Sequence, residues 1–181
     1  LDALFTRRLR AGARPVAEGP HDIVSPVDGT CAFVGPTVGG LIEPAPGRRL
    51  SLSALLGERV EGERDAVVLY LSPKDYHRVH VPREGVFSRW RYLPGTLWPV
   101  FPAAVRRVEG LFARNERAVL RIDSSAGPLD VVMVGAFGVG RIEVPEAELG
   151  TNVGHPGREG TLAVPVTRGA DLGVFHLGST V

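Results

Sequence analysis

The chain has 181 residues, 44% of them hydrophobic and 23% charged, which suits one globular domain with a real core and excludes a disordered segment. Its formal net charge of +1 argues against nucleic acid or another polyanion as a partner. The single cysteine, Cys31, excludes an intramolecular disulfide and any multi-cysteine metal centre, and it points to a reducing compartment.

In chain order, the pattern predicts a helix over residues 2–9 and a strand over 29–34. A short helix over 51–56 is capped by Ser51, whose hydroxyl can accept from an unpaired first-turn N–H. Strands follow over 66–72, 85–92, 118–123, 130–137 and 140–144. After a glycine-rich loop over 150–159 come strands over 160–166 and 173–177. Short β-branched runs punctuated by glycine and proline predict a mainly β, single-domain, sandwich or barrel-like core of antiparallel strands with a few short helices. The longest apolar run, 131–139, falls well short of the roughly 20 residues of a membrane-spanning helix.

Twenty arginines accompany one lysine, Lys74, a skew read as compositional bias. At the N-terminus, Leu1, Leu4, Phe5 and Leu9 alternate with Arg7, Arg8 and Arg10. Such a basic amphipathic end can either touch an anionic bilayer or pack on the β core.

Five histidines are present, and two fall in Asp75-Tyr-His-Arg-Val-His80, between Pro73 and Pro82. The prolines favour an irregular backbone that puts His77 and His80 on one side, whereas a strand would split them. The pair reads as a surface turn, as zinc ligands lacking a matching set, or as a general base for a nucleophile elsewhere. Asp28, before Gly29, is a turn former or a carboxylate that orients a histidine. Ser179 follows Gly178. That is a common turn pair, but also what an N→O acyl shift requires, because glycine leaves the attacked carbonyl uncrowded. His21 and His155 are expected in solvent and His176 packed in the last strand. Leu111–Arg114 and the three polar residues after it read as a charged turn between strands.

Six stretches together resemble the phosphatidylserine decarboxylase family: Ser25-Pro-Val-Asp-Gly-Thr30, Tyr70-Leu-Ser-Pro-Lys-Asp-Tyr-His-Arg-Val-His-Val-Pro82, Leu93-Pro-Gly-Thr-Leu97, Leu111-Phe-Ala-Arg-Asn-Glu-Arg117, Val132-Met-Val-Gly-Ala136 and Leu177-Gly-Ser-Thr180. The resemblance implies a self-cleaving proenzyme. Asp28 would orient His80, which deprotonates Ser179 for attack on the Gly178 carbonyl. β-Elimination from the resulting ester and hydrolysis of the dehydroalanine, with loss of ammonia, would leave a pyruvoyl cofactor in place of Ser179. Residues 1–178 would then be the β chain and Ser179 the start of the α chain. The mature reaction implied is decarboxylation of phosphatidylserine to phosphatidylethanolamine through a Schiff base to that pyruvoyl, with His77 serving this stage and no metal. A homodimer in peripheral contact with the cytoplasmic face of the cell membrane is also implied.

Two departures from the family pattern stand out. Trp98-Pro99-Val100-Phe101-Pro102 replaces a Ser-Val-Asn associated with the headgroup, and the family's N-terminal membrane-associating segment is expected to be absent. The alternatives are the same chemistry on another serine-headgroup lipid, such as archaetidylserine, or a lipid-binding relic that never matures.

Overall fold

The computed structural model describes residues 2–151 and 156–176. It opens with α1 (Asp2–Phe5), followed by β1 (Thr30–Pro36), β2 (Leu41–Ala45), β3 (Arg48–Ser51), α2 (Leu52–Leu56), β4 (Asp65–Tyr70), β5 (Arg78–His80) and β6 (Gly85–Leu93). Next come α3 (Pro102–Val105), α4 (Leu111–Arg114), β7 (Arg117–Ser124), β8 (Gly127–Val134) and β9 (Arg141–Val144). A 3-10 turn (Pro145–Ala147) leads to β10 (Leu149–Gly150), β11 (Arg158–Val166) and β12 (Asp171–His176). The expected mainly β, antiparallel architecture is present.

Two four-stranded antiparallel sheets, in the orders β11-β6-β7-β8 and β10-β9-β12-β5, share one core. Phe87, Leu120, Ile122 and Met133 come from the first sheet and Val79, Ile142, Val144 and Leu172 from the second. Removing each of these side chains from water contributes roughly 1.5–3 kcal/mol. The sheets approach closely at Gly173, where a Cβ would sit 2.9 Å from the Met133 sulfur and 3.0 Å from the Glu143 carbonyl. Only glycine leaves room for that thioether against β12. The β1–β4 pair and the β2–β3 hairpin form a second, smaller core around Ile42, Leu50 and Leu52, covered by Phe112 of α4.

The helices depart from expectation in length. Ser51 does cap α2, accepting from the Ala54 N–H at 3.3 Å, and Gly57 ends that helix at φ 68°. By contrast, α1 stops at Phe5 instead of reaching residue 9. Arg78 Nε donates to the Thr6 carbonyl at 3.0 Å, which holds the chain in a path set by tertiary contact, and four residues cannot sustain a helix unaided.

Residues 115–117 are not a charged surface turn. Asn115 is fully buried, and Glu116 and Arg117 nearly so. Asn115 Oδ1 accepts from the Trp98 N–H (2.9 Å) and the Thr96 hydroxyl (3.2 Å), while Nδ2 donates to the carbonyls of Trp98 (2.7 Å) and Gly135 (2.9 Å). Every hydrogen-bonding position of the amide is used. Replacing Asn115 with alanine should lower the unfolding free energy by about 2–4 kcal/mol, because buried partners lose their bonds. Urea titration should show the loss as a lower midpoint with an unchanged m-value. A change under about 0.5 kcal/mol would mean that the amide does not organise these loops.

Candidate active site

The two histidines are set by a turn and a strand acting in series. Asp75 closes the turn, its Oδ2 accepting from the Ser72 N–H and the Ser72 hydroxyl, each at 2.7 Å. Those bonds hold the Asp75 carboxyl below the usual carboxylate range. The chain then enters β5, which pairs antiparallel with β12 in the register His80↔Asp171 and Arg78↔Val174. The expected irregular backbone through His80 is therefore corrected. β12 supplies a ladder partner that local sequence could not reveal, and the two rings acquire separate surroundings.

His77 is 3% exposed. It packs edge-on against Phe5 at 4.5 Å between ring centroids and against Phe175 at 6.4 Å. Its Nδ1 lies 2.9 Å from the Asp75 carbonyl, so in the neutral ring Nδ1–H donates and Nε2 carries the lone pair. Burial pushes the His77 pKa below its ordinary value, a shift opposed by the Asp75 carbonyl. Burial thus favours the neutral ring.

His80 is oriented from both nitrogens. Nδ1 lies 2.9 Å from the Gly169 carbonyl and 3.4 Å from Asp171 Oδ1. Nε2 lies 3.0 Å from the Tyr76 hydroxyl, and the two rings stack at 5.6 Å. A carbonyl cannot donate, so the neutral ring carries its proton on Nδ1 and Nε2 accepts from Tyr76. Burial pushes the Tyr76 phenol up, and the Asp171 carboxylate adds to the shift, so the phenol remains a donor. Asp171 Oδ2 is held in turn by Arg78 and Arg8, each at 3.1 Å.

Asp28 lies on the neighbouring segment, where the Pro26 carbonyl accepts from the His80 N–H at 2.8 Å. Its carboxylate is taken by Arg14, with Nε donating to Oδ1 at 3.1 Å and Nη2 to Oδ2 at 2.7 Å. These bonds hold the Asp28 carboxyl below the usual range. Among the described residues no hydrogen bond joins Asp28 to His80. Gly178 and Ser179 lie outside the described residues, as does His155. His176, packed in β12 as expected, faces Asp2 through Nδ1 (3.1 Å) and Glu143 through Nε2 (2.9 Å).

Sequence reasoning did not single out Tyr76, Asp171 or Arg14. Tyr76 sits four positions before His80, but only the turn after Ser72 folds its hydroxyl back onto the ring. Asp171 and Arg14 are brought in by β12 and by the extended N-terminal segment, and no local spacing signals either.

On a mainly β scaffold, β5 and β12 bring two histidines, the Tyr76 phenol and the Asp171 carboxylate together. The phosphatidylserine decarboxylase family model matches residues 1–181. The phosphatidylserine decarboxylase proenzyme of Anaeromyxobacter sp. (strain K) is 42% identical over 187 residues, covering 98% of this chain and 66% of that protein. Its counterpart from Brevibacillus brevis is 42% identical over 191 residues, covering 100% and 68%. The one from Myxococcus xanthus is 42% identical over 184 residues, covering 98% and 65%. This chain belongs to the phosphatidylserine decarboxylase family, and it spans about two thirds of the length of these relatives. Among the described residues no helix is long and apolar enough to cross a membrane.

The buried His77 makes stability depend on pH. The unfolded chain binds a proton near the ordinary value of 6.5, whereas the folded chain resists it to lower pH. Stability from this residue is therefore present above pH 6.5 and lost as pH falls toward the depressed folded value, with a slope of at most about 1.4 kcal/mol per pH unit. Chemical denaturation between pH 8 and pH 5 should show this loss, and His77→Asn should remove one proton's worth of it. An unchanged slope in the variant would contradict the assignment.

Proposed function

We propose that this chain is the greater part of a self-processing, pyruvoyl-dependent decarboxylase that converts phosphatidylserine to phosphatidylethanolamine and carbon dioxide. The family match along the whole chain carries the reading, and the site geometry supports it. His80 presents Nε2 as an acceptor, the tautomer a general base needs to take the Ser179 hydroxyl proton. The freed oxygen attacks the Gly178 carbonyl, and the chain divides between those two residues. Tyr76 and the Gly169 carbonyl hold the ring from both sides. Asp28, close by and ionised, is the carboxylate that supports the charged ring once Arg14 releases it. The pyruvoyl made from Ser179 supplies the electron sink for loss of carbon dioxide. His77, buried and kept unprotonated, is the base retained for the lipid reaction.

Two parts of the site suit a group derived from Ser179. β12 leads toward that residue past the His77 carbonyl, which accepts from the Phe175 N–H at 3.0 Å. Phe5 and Phe175 shield His77 from water, and exclusion of water strengthens every electrostatic contact inside. Arg8 and Arg7 are engaged with Asp171 and the Lys74 carbonyl, so the basic N-terminal stretch packs on the β core. A homodimer at the cytoplasmic face of the membrane completes the proposal.

A second reading exchanges the histidines, and the register of β12 favours it. His77 pairs beside Phe175, four residues before Ser179, whereas His80 pairs with Asp171, eight residues before it. Intact-mass measurement under denaturing conditions decides both questions. Two fragments divided between Gly178 and Ser179 are expected, with the new α terminus blocked to Edman sequencing. Ser179→Ala and His80→Ala should leave one chain. His77→Ala should still divide but lose lipid turnover by at least about 100-fold, the scale of a lost general base. A chain that never divides sinks the pyruvoyl proposal, and division blocked by His77→Ala alone exchanges the two roles.

A further inference from the structure

Three aromatic side chains project into solvent from loops anchored on Asn115. Trp98 is 43% exposed, Phe101 47% and Phe137 72%. Asn115 Nδ2 donates to both the Trp98 and the Gly135 carbonyls, which places the two loops side by side. Phe137 lies at the tip of the turn closed by Ala136 and Val139, whose fold needs Gly138 at φ 82°. Pro99 and Pro102 fix backbone angles on either side of Phe101. The rings are thus displayed by rigid loops rather than left exposed by slack ones.

We propose that Trp98, Phe101 and Phe137 form a membrane-dipping rim that seats the enzyme on an anionic lipid surface. Clustered exposed aromatics in a folded chain mark an interaction surface, and tryptophan suits the zone between headgroup and acyl chain. Charge selects the occupant. Residues 94–115 carry Arg106, Arg107 and Arg114 against one acid, Glu109. None of the three arginines forms an ion pair among the described residues. Within this segment the cations outnumber the acids three to one, and all three arginines are exposed. Exposed cations on the same stretch of chain as two of the exposed rings complement anionic headgroups, not a second neutral protein face.

Position favours the same occupant. The last residue of β12, His176, pairs with Arg141, two residues after the Phe137 turn ends at Val139. The Phe137 turn therefore stands at the end of the sheet where β12 finishes. This inference rests on the lipid decarboxylase reading for its purpose, but its test does not need turnover.

Co-sedimentation of the full-length protein with phosphatidylcholine vesicles, with and without about 30 mol% phosphatidylserine, gives the first readout. Binding should favour the anionic vesicles. Trp98→Ala/Phe101→Ala/Phe137→Ala should lower it by about tenfold or more, and Arg106→Gln/Arg107→Gln should erase the preference for charge. In a Trp90→Phe background, Trp98 emission should move to the blue on vesicles. For turnover, Phe137→Ala alone, which lies outside the stretch that replaces the headgroup-associated residues, should lose several-fold on vesicles and stay within about twofold on a short-chain, monomeric phosphatidylserine. Wild-type sedimentation by the triple variant, unmoved Trp98 emission, or a change confined to oligomer mass would each overturn the proposal. Absence of turnover on both substrates would instead refute the decarboxylase reading and leave the binding result standing.

Discussion

The buried guanidinium of Arg117 ties two helices to a strand. Nε donates to the Leu55 carbonyl at 2.7 Å, Nη1 to Ala113 (2.7 Å) and Asn115 (2.9 Å), and Nη2 to Ala54 (2.8 Å). Burial lowers its pKa from the ordinary arginine value, and no carboxylate neutralises it among the described residues. A buried charge survives only with its donors satisfied. Here the acceptors are carbonyls from the last turns of α2 and α4, where helix dipoles favour a cation. Lysine could not span four acceptors, because it lacks the planar fork. One side chain thus fastens both short helices to the start of β7.

Asn115, two residues earlier, extends that constraint outward. The backbone that delivers Arg117 into the helix ends also delivers the Asn115 amide into the loops at Trp98 and Gly135. Between them Glu116 accepts from the Tyr92 hydroxyl at 2.8 Å, and burial together with that carboxylate pushes the Tyr92 phenol up. The sequence Asn-Glu-Arg is therefore a polar spine laid through the interior, in which Asn115 and Arg117 are held chiefly by backbone groups and Glu116 Oε2 by a buried phenol. A spine of this kind specifies one arrangement of loops, since any other leaves polar atoms unpaired in a low dielectric.

The positions of the main strands were legible because alternation of apolar and polar residues is local. β11 alternates along nearly its whole length, with one face wet, and its pattern survives Pro165 because the strand lies at a sheet edge. The β2–β3 hairpin was not legible. Pro44 lies within β2 and Pro46 in the turn, and proline in a run argues against a strand unless a bulge absorbs it, as the register shift between Ile42 and Ala45 does. β5 escaped notice for a different reason: three residues carry no period, and β12 decides their conformation from more than 90 residues away. The site divides in the same way. His77 and His80 are conspicuous as residue types, whereas their tautomers depend on the Asp75 and Gly169 carbonyls and on a tyrosine folded back by a turn. The burial of Asn115 and Arg117 contradicts what residue polarity alone suggests, because polarity does not reveal where carbonyls will converge.

The two carboxylates on either side of His80 differ in what holds them. Asp171 is fixed by Arg78, itself only 15% exposed, and by Arg8, so it adds a permanent negative charge beside Nδ1. Asp28 is paired with an arginine whose side chain is 57% exposed. Solvent-exposed ion pairs contribute about 1 kcal/mol or less, so transferring Asp28 from Arg14 to a charged imidazole costs little. One carboxylate is fixed and the other is exchangeable, and under the proposed function a base that first holds a proton and then returns it is served by having both.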